Sequence, residues 1–490
     1  MAENKTQNQV YKGMSSQTLV AIVMGVLEVS VFALMSRLLS QEDFGYYAII
    51  IAVVSVFQCL TEAGLGSAVV QRTDAPREYI STALGLSTLL GVIFTILLLA
   101  LAKPLSMLMG HGTELTGSLR WMSITLLLCS VNSVAQAMFM RSLDFMKFGL
   151  CRISAYIASS TIGLVMAAMG YGVNAIIVSA IANALLTTLI LFWVRGEAIS
   201  VRIHSSFVKE IVSYGGWLTG SVIVRRITTE LDKFILSHWI PVAQIGAYNR
   251  PAGFITSVTG KVTGIYDIVL FPILSSFKDD KSKVNSAFLK SISLISWFTA
   301  ILATFFVLGA QPLIDIFFGS DWNWLITIFR ILSVSVLFLS YTSIGECFFR
   351  SLGLVKAYFF VRTATCIVTL ISVYIGSRYG ILGVAIGVFA SRLFDCSLKF
   401  TYLSSKISVR IIDVLKSIFA PTWITALIAI MSFVVVKYVA YGEYLGVVLF
   451  GIVALLLSIF TPKLFGVDFY ENIYLVIKEK IIRTFNLNNV

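Results

Sequence analysis

The chain has 490 residues, of which 58% are hydrophobic and only 13% charged, and its formal net charge is +12. A soluble domain is nearer about 45–50% apolar and roughly 25% charged, so this balance excludes an ordinary soluble protein. The apolar residues collect in blocks of about 20 or more, the length that spans a bilayer as helix, and not in the short alternating segments of a transmembrane β-barrel.

The reading is an all-α polytopic membrane protein. The N-terminal MAENKTQNQVYKG is polar and reads as a cytoplasmic tail, not a signal peptide. About fourteen membrane spans then follow in chain order. They are placed at 15–38, 44–70, 79–102, 119–140, 148–169, 172–194, 211–239, 243–274, 286–309, 324–348, 357–377, 380–402, 415–438 and 444–461. With the N-terminus inside, the inner segments hold 23 of the 37 basic residues, including Lys399, Lys406, Arg410 and Lys416. The outer segments hold five: Arg37, Lys103, Arg120, Arg378 and Lys437. This asymmetry follows the positive-inside rule and puts both termini in the cytoplasm. It also accounts for the positive charge without a nucleic-acid partner.

Several activities find no support. No GxxxxGK[ST] is present for a Walker-type motor. No loop exceeds roughly twenty residues, too short for a folded catalytic domain. The six cysteines form no CxxC pair, and His111, His204 and His238 lie far apart in sequence, so no metal site, disulfide or cofactor is expected.

An internal repeat is visible. SRLLSQEDFGYYAII (36–50) aligns with SHWIPVAQIGAYNRP (237–251), RSLDFMK (141–147) with RSLGLVK (350–356), and GYGVNAIIV (170–178) with RYGILGVAI (378–386). Six spans thus recur once in parallel orientation, a layout that places a substrate cavity between two pseudo-symmetric six-helix lobes. The lobes are assigned to residues 1–210 and 211–403. Residues 404–490 add two spans and the tail FYENIYLVIKEKIIRTF (469–485), read as a basic amphipathic helix on the inner leaflet.

This plan resembles the polysaccharide transporter branch of the MOP flippase superfamily, the Wzx-type flippases of O-antigen and capsule repeat units. The carrying residues are FGYYAIIIAVVSVFQCLTEAGLGSAVVQR (44–72), RSLDFMKFGL (141–150), GYGVNAIIVSAIANAL (170–185) and RRITTELDKFIL (225–236). The resemblance implies translocation of an undecaprenyl-diphosphate-linked oligosaccharide from the inner to the outer face of a bacterial inner membrane. It further implies a non-enzymatic, ion-gradient-coupled carrier, with a glycan polymerase and a chain-length regulator as expected partners. Lipid II flippases and MATE drug exporters are related branches, and a MATE-like small-molecule exporter is the alternative reading.

Embedded charge is where function is expected, because an ionisable residue at mid-span costs at least roughly 2.5–3.5 kcal/mol. The basic ones are Arg152, Arg225, Arg226, Lys233, Arg250, Lys261, Arg330, Arg362 and Arg392; the acidic ones are Glu28, Glu62, Glu230, Asp232, Asp267, Glu346 and Asp395. Arg152, Arg330, Arg362 and Glu346 lie near span ends, where snorkelling to the interface is the plain expectation, and Arg392 and Asp395 are spaced to pair along one helix. The seventh span concentrates five charges. At about 100° per residue, with Arg225 at zero, Asp232 falls near −20°, Lys233 near 80°, Arg226 near 100° and Glu230 near 140°. Aliphatic residues occupy the opposite side, so one face is expected to meet an aqueous cavity. Arg225, Arg226, Arg250 and Lys261 are the candidate diphosphate ligands, since guanidinium binds such oxygens bidentately and stays charged. Glu230, Asp232 and Lys233 are expected to hold or gate them. Glu28, Glu62 and Asp267 are candidate H⁺ or Na⁺ coupling sites.

Overall fold

A computed structural model describes residues 2–62, 65–66, 69, 76–142, 144–196, 201–208, 216–276, 280–439, 446, 449–453 and 456. Among them every regular element is helical. The helices are α1 (Ala2–Leu38), α2 (Gln41–Glu62), α3 (Arg77–Leu108), α4 (Thr116–Arg141), α5 (Phe145–Ala168), α6 (Val173–Arg195), α7 (Gly216–Trp239), α8 (Val242–Ser276), α9 (Lys281–Leu308), the short α10 (Ala310–Phe317), α11 (Ile326–Ser351), α12 (Val355–Ser377), α13 (Gly380–Ile407) and α14 (Ile411–Val439). Eleven of the described helices are long and apolar enough to cross a membrane. They match the first six expected spans and the ninth to the thirteenth. The seventh and eighth form the long helices α7 and α8 but stand outside the eleven, and the five charges of α7 leave it no apolar run of bilayer length. Most of the fourteenth span and the whole C-terminal tail lie outside the described residues.

The chain divides into two compact units. The first comprises residues 1–254, 317–319 and 355–391; the second comprises 255–316, 320–354 and 392–490. Within the first, α1 packs on α5, α3 on α4, α5 on α6, and α7 on both α2 and α12. Small residues bring the helices together where apolar surface alone gives little drive inside a bilayer. On α3 and α4, Gly91 lies against the Ser130 side chain, and the Ser87 hydroxyl donates to the Ser130 carbonyl at 2.6 Å. Within the second unit, α9 packs on α11 and α14 around fully buried Phe288, whose ring meets Phe348 at 4.9 Å and Phe400 at 5.7 Å. Large apolar side chains such as Trp193, Phe360 and Met431 stay exposed, as lipid-facing positions do.

The repeat recurs in the helix boundaries. The ends of α1 and α7, at Leu38 and Trp239, are 201 residues apart, and so are the starts of α2 and α8, at Gln41 and Val242. The α2 start is set by a reciprocal cap: the Ser40 amide donates to the Asp43 carboxylate at 3.0 Å, and the Asp43 amide donates to the Ser40 hydroxyl at 3.2 Å. The α8 start follows Pro241, whose missing N–H is harmless in a first turn.

At these two starts the repeat partners touch. A methyl at Gly45 would overlap the Val242 carbonyl, and a methyl at Gly246 would overlap the Gln41 carbonyl. Gly45 corresponds to Gly246, and Gln41 to Val242, so the contact is reciprocal, as at a two-fold axis. Both glycines are in helices, so close approach and not backbone strain demands them. Replacing Gly246 with Ala should destabilise the protein by about 1–3 kcal/mol, the scale of overpacking. Thermal unfolding in detergent reads this as a lowered midpoint, and an unchanged midpoint would contradict the close contact.

Candidate functional site: a charged face on α7 and two enclosed charge clusters

The five charges of α7 follow a sharper division than a simple wedge. Glu230, at the wedge's edge, turns inward and is buried. It lies between two cations on its own helix: Arg226 at 3.6 Å four residues back, and Lys233, in direct hydrogen-bond contact, three residues on. Arg226 also donates from Nε to the Ser55 carbonyl of α2 at 3.4 Å, which ties the pair to the neighbouring helix. Asp232 accepts from the Tyr248 hydroxyl of α8 at 3.3 Å and from the Lys233 amide at 2.8 Å. Arg225 differs from all of these. It is exposed, and its guanidinium makes no hydrogen bond or ion pair with a described residue. Thr229, one turn along, is exposed beside it. The face therefore carries one open guanidinium, one shared guanidinium and an internally balanced Glu230–Lys233 pair.

Arg250 on α8 is placed in quite different surroundings. Its guanidinium carbon lies 3.1 Å from the centre of the Phe44 ring and 4.3 Å from that of Phe32. Tyr47 and Tyr156 are close enough to feel its charge. Its Nε is sealed from solvent with no hydrogen-bond partner, and no described carboxylate pairs with it. Aromatic faces attract the cation and partly replace lost hydration.

A third cluster escaped the sequence reading. Lys399, expected in an inner-face segment, is wholly buried within α13. Its ammonium donates to Asp395 of the same helix at 2.8 Å and to Glu346 of α11 at 3.0 Å. Glu346, expected to snorkel, instead takes part in this interhelix pair. Arg392 donates to the Ser335 hydroxyl of α11, and Asp395 pairs with Lys399. Arg362 is buried as well, donating to the Tyr358 hydroxyl at 3.3 Å, where an interfacial position was expected. The signal for Lys399 was present as an Asp-x-x-x-Lys spacing inside an apolar stretch. Ending that span at residue 402 made the lysine look terminal, whereas α13 continues to Ile407.

Of the remaining candidates, Glu28 is half-buried on α1. The side chains of Glu62, Lys261 and Asp267 lie outside the described residues.

These helices have the fold of a solved membrane transporter. The structure of the lipid II flippase MurJ in an inward closed conformation aligns with a TM-score of 0.72 over 94% of this chain and 99% of that one, at 16% identity. The family described as polysaccharide biosynthesis protein matches residues 34–327, and the chain belongs to it. Its relatives include the lipopolysaccharide biosynthesis protein WzxC of Escherichia coli (strain K12), 22% identical over 321 residues, which are 65% of this chain and 64% of WzxC. The succinoglycan biosynthesis transport protein ExoT of Rhizobium meliloti (strain 1021) is 24% identical over 306 residues, 62% of this chain and 61% of ExoT. In both cases the chain spans less than two thirds of the relative's length.

Breaking a buried ion pair by removing one partner costs about 3–5 kcal/mol, whereas replacing all partners with neutral groups costs much less. Lys399→Met should therefore lower the unfolding midpoint strongly. Adding Glu346→Gln and Asp395→Asn to it should recover part of the loss. A triple variant no more stable than Lys399→Met would contradict the pairing.

Proposed function

We propose that the chain is a flippase that carries undecaprenyl-diphosphate-linked oligosaccharide repeat units from the cytoplasmic to the periplasmic leaflet of a bacterial inner membrane by alternating access. The observation that carries this reading is the basic face of α7. Arg225 stands open beside a half-exposed Arg226, on a helix whose other charges already neutralise one another. An open guanidinium in a bilayer-spanning protein calls for an anion, and a diphosphate supplies oxygens for bidentate contact. The names of WzxC and ExoT, which tie them to lipopolysaccharide and succinoglycan synthesis, and the shared fold with a lipid II flippase support the same substrate class.

In this reading residues 1–210 and 211–403 form the two lobes, 404–490 are accessory, and both termini are cytoplasmic. Arg225 and Arg226 are the first phosphate contacts, with Arg250 and Lys261 further along the path. Glu230, Asp232 and Lys233 hold the arginines in place. Glu28, Glu62 and Asp267 bind the coupling H⁺ or Na⁺. A glycan polymerase and a chain-length regulator take the product on the outer face. An exporter of cationic drugs would require an excess of acid on this face, and α7 carries three basic residues against two acidic ones.

Arg225→Ala and Arg226→Ala should each abolish display of the surface glycan while protein levels in the membrane stay normal. Immunodetection of the glycan on intact cells, with quantitative blotting of the protein, reads both. Normal display in both variants would remove the binding role. Glu28→Gln should lower transport and weaken its response to dissipating the ion gradient; a response equal to wild type would exclude Glu28 from coupling.

A further inference from the structure

Among the described candidate phosphate contacts, Arg250 is the one whose Nε is sealed from solvent. Its place in the repeat explains how unusual the position is. At the offset of 201 that aligns α2 with α8, Arg250 takes the place of Ile49, which is 1% exposed. The repeat thus carries a buried aliphatic side chain on α2 where α8 carries this arginine. The arginine there has no described carboxylate and a sealed Nε without a partner. It is held instead by the faces of Phe44 and Phe32. Phe44 adjoins Gly45, and Arg250 lies one turn after Gly246. The glycine seam and the aromatic sheath are therefore the same piece of packing: the approach of α2 to α8 that brings Gly45 against Val242 also lays the Phe44 ring on the guanidinium.

We propose that Arg250 is a masked oxyanion site, closed while the Gly45–Gly246 seam is closed and uncovered for phosphate oxygens when α2 and α8 part. The inference rests on the flippase reading above and adds an order to it. Arg225 meets the diphosphate first, and Arg250 competes for it only in the conformation with the seam open. The partner-less Nε and the two terminal nitrogens form the fork that a phosphate group accepts. The rings hold the cation only through cation–π contacts, so they yield to a full negative charge. Masking in one state and binding in the other gives the ligand the differential affinity that any ligand-driven shift between two conformations requires.

Arginine modification tests this on the full-length chain in detergent. Phenylglyoxal labelling is followed at each arginine by peptide mass spectrometry, with Arg225 as the open reference. In the wild type, Arg250 should react roughly tenfold or more slowly than Arg225, the scale of two desolvated cation–π contacts. Phe44→Leu, which keeps bulk but removes the ring face, should bring the two rates together. Gly246→Ala, which pries the seam apart, should do the same if it folds; Phe44→Leu decides the matter if it does not. In Phe44→Leu, undecaprenyl diphosphate should protect Arg250. Protection by inorganic pyrophosphate as well would identify the site as one for the phosphate group itself, and protection by the lipid alone would tie it to the lipid-linked form. Equal rates at Arg225 and Arg250 in the wild type, no change in Phe44→Leu, or protection by neither probe would overturn the masked site. Those results would leave the flippase reading standing, because that reading fails separately if Arg225→Ala and Arg226→Ala cells keep their surface glycan.

Discussion

Charge inside an apolar helical bundle must be compensated where it sits, and this constraint organises the chain. An isolated ion in a low-dielectric medium is far too costly to leave alone. Among the described residues two kinds of compensation are present, and one cation stands apart from both. Glu230 is shared by Arg226 and Lys233, and Lys399 by Asp395 and Glu346, so opposite charges neutralise within one or two helices. Arg250 is sheathed by Phe44 and Phe32. Arg225 is left open to its surroundings. Arg225 pairs with no described residue, and a guanidinium in a membrane protein stays so only where water or an anion reaches it, which is why Arg225 anchors the functional reading.

The helical scaffold serves this arrangement through close contact. Gly45 and Gly246 allow α2 and α8 to meet backbone to backbone. That approach fixes where Phe44 and Arg250 sit. The Ser55 carbonyl on α2 reaches Arg226 on α7, and the Tyr248 hydroxyl on α8 reaches Asp232. A carbonyl on α2 and a hydroxyl on α8 thereby hold charged side chains of α7. The repeat has kept the residues that pack, Gly45 with Gly246 and Tyr47 with Tyr248, and has diverged at those that carry charge, as Ile49 against Arg250 shows.

Much of the architecture was legible in the sequence because its signals are physical and local. Runs of apolar residues of bilayer length mark α1 to α6 and most later helices, and the repeat shows itself in shared Ser, Gly and Tyr. The face of α7 could be drawn from helical periodicity alone. What periodicity could not show is which edge of that face turns inward. Glu230 and Asp232 fall on the same wedge, yet only Glu230 is buried. The Lys399 cluster was missed for a related reason. Its second carboxylate, Glu346, is more than fifty positions away on α11, and nothing local marks a lysine near an expected helix end as buried. Likewise, Arg250 looked like an open ligand in sequence, because the rings that cover it come from α1 and α2.

On the proposed function, a diphosphate-linked lipid crosses on this basic face. That crossing is tested most directly in proteoliposomes containing the purified chain. A polyprenyl-diphosphate oligosaccharide with a fluorescent sugar is placed in one leaflet, and its arrival in the other is read by quenching with an impermeant reagent. Transfer of the diphosphate-linked lipid is expected, with little or none of the same glycan on an uncharged polyprenol. Equal transfer of both, or none of either while a cationic dye is exported, would contradict it.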